Sequence, residues 1–403
     1  MGAEPRVCCM DLDTFFVSVE RLLDPSLEGK AVVVGGGKNG RGVVLSSSYE
    51  ARVFGVRSGM SIRDASRLAP DAIFLPGHHR EYSRYSADVR AIVERYSPIV
   101  RAASIDEHYI DFHGCEGLYR KPSDEDDDAT IARVVREMTD AIATELGLPS
   151  SAGIATSKSM AKVACGLAKP RGVRLVRAGT EAETLAPLPV RKLPGIGPVA
   201  ERKLNEAGIE TLGQLTLASE EKLRPIFGRS TEALRASARG EGSAWLGRER
   251  PAFREHDPRG ERLGTISNER TFVEHSGAVA EAILSSLAER VCFRARKRGM
   301  RARTVTLRLR WVDFYTITRS VTISPTHSDT VVRRAIFELY RAARTRSLGI
   351  RLLGVALSNL EPDDVQLELF DKDDRRSRAV DRVRAKFGYD AVHLATTVPR
   401  RRD

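Results

Sequence analysis

No apolar run in this 403-residue chain approaches the ~20 residues that a membrane-spanning helix requires. The N-terminal stretch Val7-Cys8-Cys9-Met10 runs straight into Asp11 and is too short for the apolar centre of a signal peptide. Cysteines are few: Cys8, Cys9, Cys115, Cys165 and Cys292, with no CxxC pair and no zinc-ligand spacing. An odd, scattered set excludes a disulfide framework and points to a reducing compartment. These absences predict a cytoplasmic protein with no membrane role. A Walker A sequence is lacking too, because the glycine-rich stretch 35–42 has neither its spacing nor its Lys-Ser/Thr ending. That stretch reads as a hairpin loop, and the basic Lys38 and Arg41 near its tip leave a polyanion contact open.

Basic charge is abundant. Lys and Arg number 65 against 54 Asp and Glu, for a net charge of +11. That excess points to a polyanionic partner, nucleic acid ahead of an acidic membrane surface. Hydrophobic residues make up 41% and charged residues 30%, the balance of a soluble globular protein. A chain this long outgrows one core, so about two to four domains are expected.

The stretch Ser104-Ile105-Asp106-Glu107-His108-Tyr109-Ile110-Asp111 carries two adjacent carboxylates. In one straight strand they would point to opposite faces, so both serve one site only where the chain bends, as at a hairpin tip. Paired carboxylates at a bend suit a hard divalent cation such as Mg²⁺. Asp11-Leu12-Asp13, at the end of another apolar run, can supply further ligands.

Taken in order, 6–12 reads as a buried strand and 15–23 as a helix, with Phe16, Val19 and Leu23 on one side. Segments 99–105 and 107–112 form the acidic hairpin. Ile131, Val134, Val135, Met138, Ile142 and Leu146 make the apolar stripe of a helix, and 151–155 is a strand. Strand, helix, hairpin, helix and strand make a β-α-β-β-α-β unit with an insertion at about residues 16–77. The acidic run 124–128 reads as a solvated loop and helix start, where negative charge suits the helix dipole. A short helix, 157–168, then ends in Lys169-Pro170. Leu193-Pro194-Gly195-Ile196-Gly197-Pro198 has the form of a helix-hairpin-helix, whose glycines let backbone N–H groups approach phosphate. Residues 240–260 read as a linker.

Beyond it the β-α-β-β-α-β order recurs, with strands at 264–272, 303–311, 314–323 and 350–358 and helices at 276–297 and 328–344. From Arg290 to Arg310 every charged residue is basic. Alternation sets Val305, Leu307 and Leu309 on one face of a strand and Thr306, Arg308 and Arg310 on the other. The second face is suited to tracking phosphates.

Five motifs in order carry a family resemblance: Met10-Asp11-Leu12-Asp13-Thr14-Phe15-Phe16, Ser48-Tyr49-Glu50-Ala51-Arg52-Val53-Phe54-Gly55, Ser104-Ile105-Asp106-Glu107, Ala168-Lys169-Pro170 and Leu193-Pro194-Gly195-Ile196-Gly197. The chain resembles a Y-family DNA polymerase of bacterial type, in the DinB or DNA polymerase IV branch, over about residues 6–360 and into the tail. The resemblance implies an α+β right-hand fold with a ferredoxin-like palm (1–15 and 78–176), small fingers (16–77) and a helical thumb with the helix-hairpin-helix (177–243). A linker (244–258), a βαββαβ little finger (259–361) and a C-terminal tail (362–403) follow.

It also implies template-directed translesion DNA synthesis of low fidelity, without a proofreading exonuclease, on primed template DNA with dNTPs. Asp11, Asp106 and Glu107 would hold two Mg²⁺ ions, with Mn²⁺ tolerated, Glu107 on the ion at the primer 3′-hydroxyl and the Leu12 carbonyl on the nucleotide-side ion. Tyr49, Arg52 and Lys169 would grip the triphosphate, with Phe15 and Ser46 as further nucleotide contacts and Phe16 as the steric gate under the sugar. Gly195, Gly197, Arg303, Arg308 and Arg310 would contact DNA. In the tail, Gln366-Leu367-Glu368-Leu369-Phe370 resembles the bacterial sliding-clamp peptide, with Gln366, Leu367, Leu369 and Phe370 as anchors. The protein is expected to act as a monomer.

Spacing alone would make Asp13 a metal ligand as well, a role that the family does not clearly give this position. His108 stands where the family usually has a small residue, Leu45 is bulkier than in many relatives, and the acidic run 124–128 has no family counterpart. A two-metal nuclease would not need Tyr49, Arg52, Lys169 or Phe16. A non-catalytic polymerase-like scaffold on DNA and the clamp is the alternative, but it would be expected to lose metal ligands that are all present here.

Overall fold

Strand β1 (Val7–Leu12) is the middle of a five-stranded sheet, buried almost throughout because its residues are apolar on both faces. The computed structural model describes residues 6–38, 40, 42–244, 246, 264–275, 277–363 and 372–393. It divides the chain into two units, Met1–Arg248 and Glu249–Asp403.

In the first unit, β2 (Val32–Val34), β3 (Ser46–Ser47) and β4 (Ile73–Leu75) make a small sheet in the order β3-β2-β4. The larger sheet adds β5 (Val100–Ala102), β6 (Glu107–Asp111), β7 (Ser150–Ala155) and β8 (Val173–Leu175) to β1, in the order β5-β6-β1-β7-β8. β6 and β7 both run antiparallel to β1. The acidic hairpin is present, though its first strand is only three residues long and residues 103–106 form the turn.

Alternation along β1 separates two cores. Cys8, Met10 and Leu12 face the helices His79–Val93 and Asp127–Leu146, where Val89, Ile92, Ile131, Val134, Met138 and Ile142 are buried. The expected stripe of the second helix is thus its core face, and truncating one of these side chains to alanine would cost roughly 2–5 kcal/mol. Val7 and Cys9 face the other way, onto the helix Lys158–Ala168 and a cluster that includes Leu185, Leu193, Leu204 and Leu215.

The acidic run differs from a merely solvated loop. Asp126 caps the helix by accepting from Ala129 N–H at 2.7 Å. Asp124 pairs with Arg133 at 2.9 Å, and Asp128 with Arg6 at 2.7 Å. The run is therefore a helix start locked by arginines.

The second unit contains β9 (Thr265–His275), the helix Gly277–Lys297, β10 (Met300–Trp311), β11 (Thr316–Thr326), the helix Asp329–Ala343 and β12 (Ile350–Pro362). Its chain order repeats that of β1, β5, β6 and β7, but the pairing does not. The order is β11-β10-β12-β9, so second and fourth strands are central, where the first unit centres the first and third. The central places go to the most apolar strands, with Val305, Leu307, Leu309, Leu353, Val355 and Leu357 all buried. β11, rich in exposed polar residues, takes an edge, where a strand must not invite further pairing. A last helix, Lys372–Phe387, is tied to this unit by an ion pair between the buried Arg384 and Glu289.

Among the described residues, no helix is long and apolar enough to cross a membrane. Most of the expected linker and the whole clamp-like peptide, with Gln366, Leu367, Leu369 and Phe370, lie outside the described residues.

Candidate active site

The site grows from register. β1 and β6 pair so that Asp11 lies opposite Glu107 and Met10 opposite His108. Cross-strand partners share a face, so Asp11 and Glu107 point to the side of the helix Lys158–Ala168 while His108 points to the opposite, helix-packed core. Asp106 sits in the turn just before β6, where its carbonyl accepts from Leu12 N–H at 2.9 Å and its carboxylate accepts from the Ser104 hydroxyl. The bend does what a straight strand cannot, and it brings Asp106 beside the Asp11–Glu107 pair.

The helix Lys158–Ala168 is pressed onto β7 at Gly153. A Cβ there would come within 2.1 Å of Cys165 N and 2.3 Å of Ala161 O, so only glycine permits this packing. The close approach delivers two ammonium groups to the carboxylates. Lys169 bonds Asp11 and Lys162 bonds Glu107. Lys162 is a residue that motif reasoning overlooked. Its signal was present, since positions seven apart share a helix face and Lys162 stands seven before Lys169.

Burial pushes the Asp11 carboxyl above the ordinary range; Lys169 opposes that rise, and the charges of Asp106 and Glu107 add to it. Asp11 therefore feels both neighbouring carboxylates. The oxygens of the three form a hard donor set of the kind that divalent cations favour, and the two lysines show where positive charge is wanted. Among the described residues, no three His, Cys, Asp or Glu side chains stand close enough to hold an ion as they are. The residues fit a divalent metal by chemistry and by face, with the ammonium groups in its stead. Asp13 is different. It is buried, and its oxygens are engaged by Ser151, Arg171 and Tyr49.

Of the expected nucleotide contacts, Tyr49, Arg52 and Lys169 gather on the same side. Ser48 caps the helix Tyr49–Val53 by accepting from Ala51 N–H at 3.2 Å, which points Tyr49 at Asp13, 3.4 Å from its hydroxyl. Burial, and then the Asp13 charge, push the Tyr49 phenol up, so it stays a donor. The Arg52 guanidinium lies 5.0 Å over the Tyr49 ring and donates to Ser47 O at 3.2 Å. Ser46 is buried in β3. The Phe15 ring is buried in the helix-side core, which leaves its backbone as the part that could meet a nucleotide.

Phe16 is only half-buried and stacks on Tyr82, with ring centres 4.2 Å apart and planes 13° apart. The Tyr82 hydroxyl donates to buried Glu20, which also takes the His78 N–H at 3.1 Å. This backing of Phe16 by Tyr82 and Glu20 was not legible in the sequence, because the partners lie some 60 residues apart.

His108 is resolved by its face. Burial first, then Arg90, hold its imidazole down to about 4, and its Nδ1 has no hydrogen-bond partner. It is a neutral core residue.

The expected DNA contacts are more varied. Gly195 adopts φ +98°, a conformation that side chains resist, in the turn that leads to the helix Pro198–Glu206, and Gly197 stands just before that helix. On β10, alternation is as expected, but Arg308 pairs with Glu269 at 2.9 Å and Arg303 with Glu361 at 2.7 Å. Arg310 donates to the Thr316 hydroxyl at 2.7 Å. From the same basic run, Arg296 is not on the surface: it is buried between Asp381 and Asp329, at 2.6 and 3.1 Å.

Known proteins resemble this chain in sequence and fold. The model of the impB/mucB/samB family matches residues 10–166, that of the family's C-terminal domain residues 264–369, and that of its HHH motif residues 179–209. The chain is 36% identical to DNA polymerase IV of Dehalococcoides mccartyi over 400 residues, 97% of each chain. It is 40% identical to DNA polymerase IV of Streptomyces coelicolor over 376 residues, 92% of this chain and 74% of that one. In fold it is similar to a Y-family DNA polymerase chimera of Dbh and Dpo4, with a TM-score of 0.72 at 24% identity, covering 88% of this chain and 98% of the other. It is also similar to the insertion ternary complex of Dbh DNA polymerase, with a TM-score of 0.61 at 23% identity and the same coverage. By motif order, fold and identity along nearly its whole length, the chain belongs to the impB/mucB/samB family, within the DNA polymerase IV branch of the Y-family DNA polymerases.

Proposed function

We propose that this chain is a DNA-directed DNA polymerase for translesion synthesis, extending a primed template with dNTPs at low fidelity and without proofreading. One observation carries the reading. Asp11 and Glu107 are paired on one sheet face with Asp106 at the adjoining turn, and Tyr49 and Lys169 stand on that same side.

The reaction is divalent-metal dependent, and Mg²⁺ is the ion proposed, two per site, with Mn²⁺ tolerated. Asp11 and Asp106 would bridge the two, Glu107 would hold the one at the primer end, and the Leu12 carbonyl would serve the nucleotide side. When bound, the ions stabilise the attacking and leaving oxygens of an in-line phosphoryl transfer. The chain's own residues then have separable tasks. Arg52 offers a planar fork that matches phosphate oxygens, while Lys169 and Tyr49 add a point charge and a hydroxyl. Ser46 and the Phe15 backbone line the nucleotide. Phe16, braced by Tyr82, fills the space that a 2′-hydroxyl would occupy.

The palm, fingers, thumb, linker, little finger and tail at the boundaries given above belong to this proposal. So do DNA contacts by Gly195, Gly197, Arg303, Arg308 and Arg310, a cytoplasmic location, a monomeric state, and a sliding clamp held by Gln366, Leu367, Leu369 and Phe370. The test is primer extension by the purified chain on a primed template with Mg²⁺ and dNTPs. Extension is expected. DNA binding without extension would make the chain a scaffold, and degradation of the primer would make it a nuclease.

A further inference from the structure

One carboxylate of the site has no part in the metal assignment. The Asp13 side chain is 1% exposed, although it lies two residues from Asp11. Its Oδ2 accepts from the Ser151 hydroxyl at 2.7 Å and from the Arg171 backbone N–H at 2.8 Å. Its Oδ1 accepts from the Tyr49 hydroxyl at 3.4 Å and lies 3.5 Å from the Lys169 ammonium. Coordinating a metal would take these bonds away and leave buried donors unsatisfied, which is costly. The arrangement is that of an anchor.

We propose that Asp13 is a positioning residue for the incoming triphosphate, fixing the backbone at Arg171 and holding Tyr49 and Lys169 in the places from which they meet phosphate. The inference rests on the reading of Tyr49 and Lys169 as triphosphate contacts. Three observations support it. The four donors come from separate parts of the chain: Tyr49 from a short helix, Ser151 from β7, and Lys169 and Arg171 from the loop after the helix Lys158–Ala168. A single carboxylate is thus the knot between the Tyr49 helix and the Lys169 loop.

Arg171 holds φ +53°, a conformation that residues with side chains rarely adopt, and its own N–H is the group bound to Asp13. Most telling is the sharing of Lys169. Its ammonium bonds Asp11 and also faces Asp13. Asp11 is assigned to the metals, whose charge would compete with Lys169 for its oxygens. Asp13 faces no such competition, because its charge is buried on the same side and pairs with no other cation among the described residues.

The deciding measurement is the Kd of a non-hydrolysable dNTP analogue for the full chain on primed template with Mg²⁺, alongside kcat and KM for the dNTP. Asp13→Asn keeps the size and removes the charge. Loss of one charge-assisted anchor is expected to raise Kd and KM about tenfold or more, with kcat at saturation changing far less. Affinity for DNA and the thermal midpoint should hold. Because Asp13 acts in part through Lys169, Asp13→Asn combined with Lys169→Ala should raise Kd by less than the product of the two single effects.

An unchanged Kd for Asp13→Asn, or full additivity in the double variant, would overturn the proposal. Equal loss of nucleotide affinity, DNA affinity and stability would also overturn it, leaving a folding role only. If Lys169→Ala itself leaves nucleotide affinity intact, the nucleotide-site reading falls, and this proposal with it. Should Asp13→Asn not fold, Ser151→Ala decides by removing the 2.7 Å tether: Kd is expected to rise about threefold, and no rise overturns the inference.

Discussion

Asp11 and Glu107 lie directly opposite each other in the β1–β6 ladder, and each carries an ammonium group, that of Lys169 on Asp11 and that of Lys162 on Glu107. Like charges at opposed positions repel, so the two lysines balance a pair that would otherwise destabilise the ladder. Asp106 lies outside the ladder and has no lysine of its own among the described contacts.

That difference makes Asp106 the cleanest variant for the metal assignment. Asp106→Ala retains the backbone carbonyl that accepts from Leu12 N–H, so the turn should keep its shape. If Asp106 is the shared ligand proposed above, its loss should lower primer extension by about a thousandfold or more. Affinity for primed template, measured by fluorescence anisotropy, should stay nearly unchanged. Substantial residual synthesis would remove Asp106 from the metal site.

Phe16 can be examined by substrate choice. Its ring is half-buried and held flat against Tyr82, which is itself bonded to Glu20. Phe16→Ala should open the space beneath the sugar and raise ribonucleotide incorporation relative to dNTP by about tenfold or more. Competing extension with rNTP and dNTP measures the ratio. If the ratio stays put, Phe16 is a core residue and not a gate.

Much of this was legible in the sequence because it depends on local periodicity. The buried stripe from Ile131 to Ile142, the alternation of Val305, Leu307 and Leu309 against Arg308 and Arg310, and the bend at Asp106 all follow from helix and strand geometry. The metal and nucleotide residues proposed above come from motif order. What stayed hidden depends on pairing across long separations. Lys162 meets Glu107 over 55 residues, Tyr82 meets Glu20 over 62, and Ser151 meets Asp13 over 138. The strand order of the second unit was hidden too, since one chain order is compatible with two sheets that differ only in which strands are central. The burial of Arg296 was hidden as well, because no local pattern marks Asp329 or Asp381 as its partners.

The clamp-like peptide can be tested by separating stimulated from basal synthesis. Its sequence lies between Asp363, whose N–H donates to Gly299 O at 2.7 Å, and the helix Lys372–Phe387. Replacing Leu369 and Phe370 with alanine removes the two apolar anchors that such a peptide inserts into its partner. Synthesis in the presence of a bacterial sliding clamp should fall about tenfold or more, as a lost pair of anchors implies. Synthesis without the clamp should be the same as in the parent. Equal loss of both would place these side chains in the fold of the chain instead.

His108 supplies a pH dependence in which stability is the readout. Its imidazole is buried on the core side of β6 with Nδ1 unpartnered, and burial followed by Arg90 holds it down to about 4. In the unfolded chain it titrates near an ordinary value of about 6.5. Between those values the unfolded state binds the extra proton, so protonation favours unfolding. The contribution of neutral His108 is therefore complete above about pH 6.5, falls as the pH drops, and is gone below about pH 4. The shift corresponds to roughly 3 kcal/mol at most, spread over that window. His108→Leu fills the site without a titrating group, and its unfolding free energy should fall less steeply on acidification. Denaturant melts at intervals across this range measure the slopes, and parallel slopes for parent and variant would show that His108 is not buried as a neutral residue.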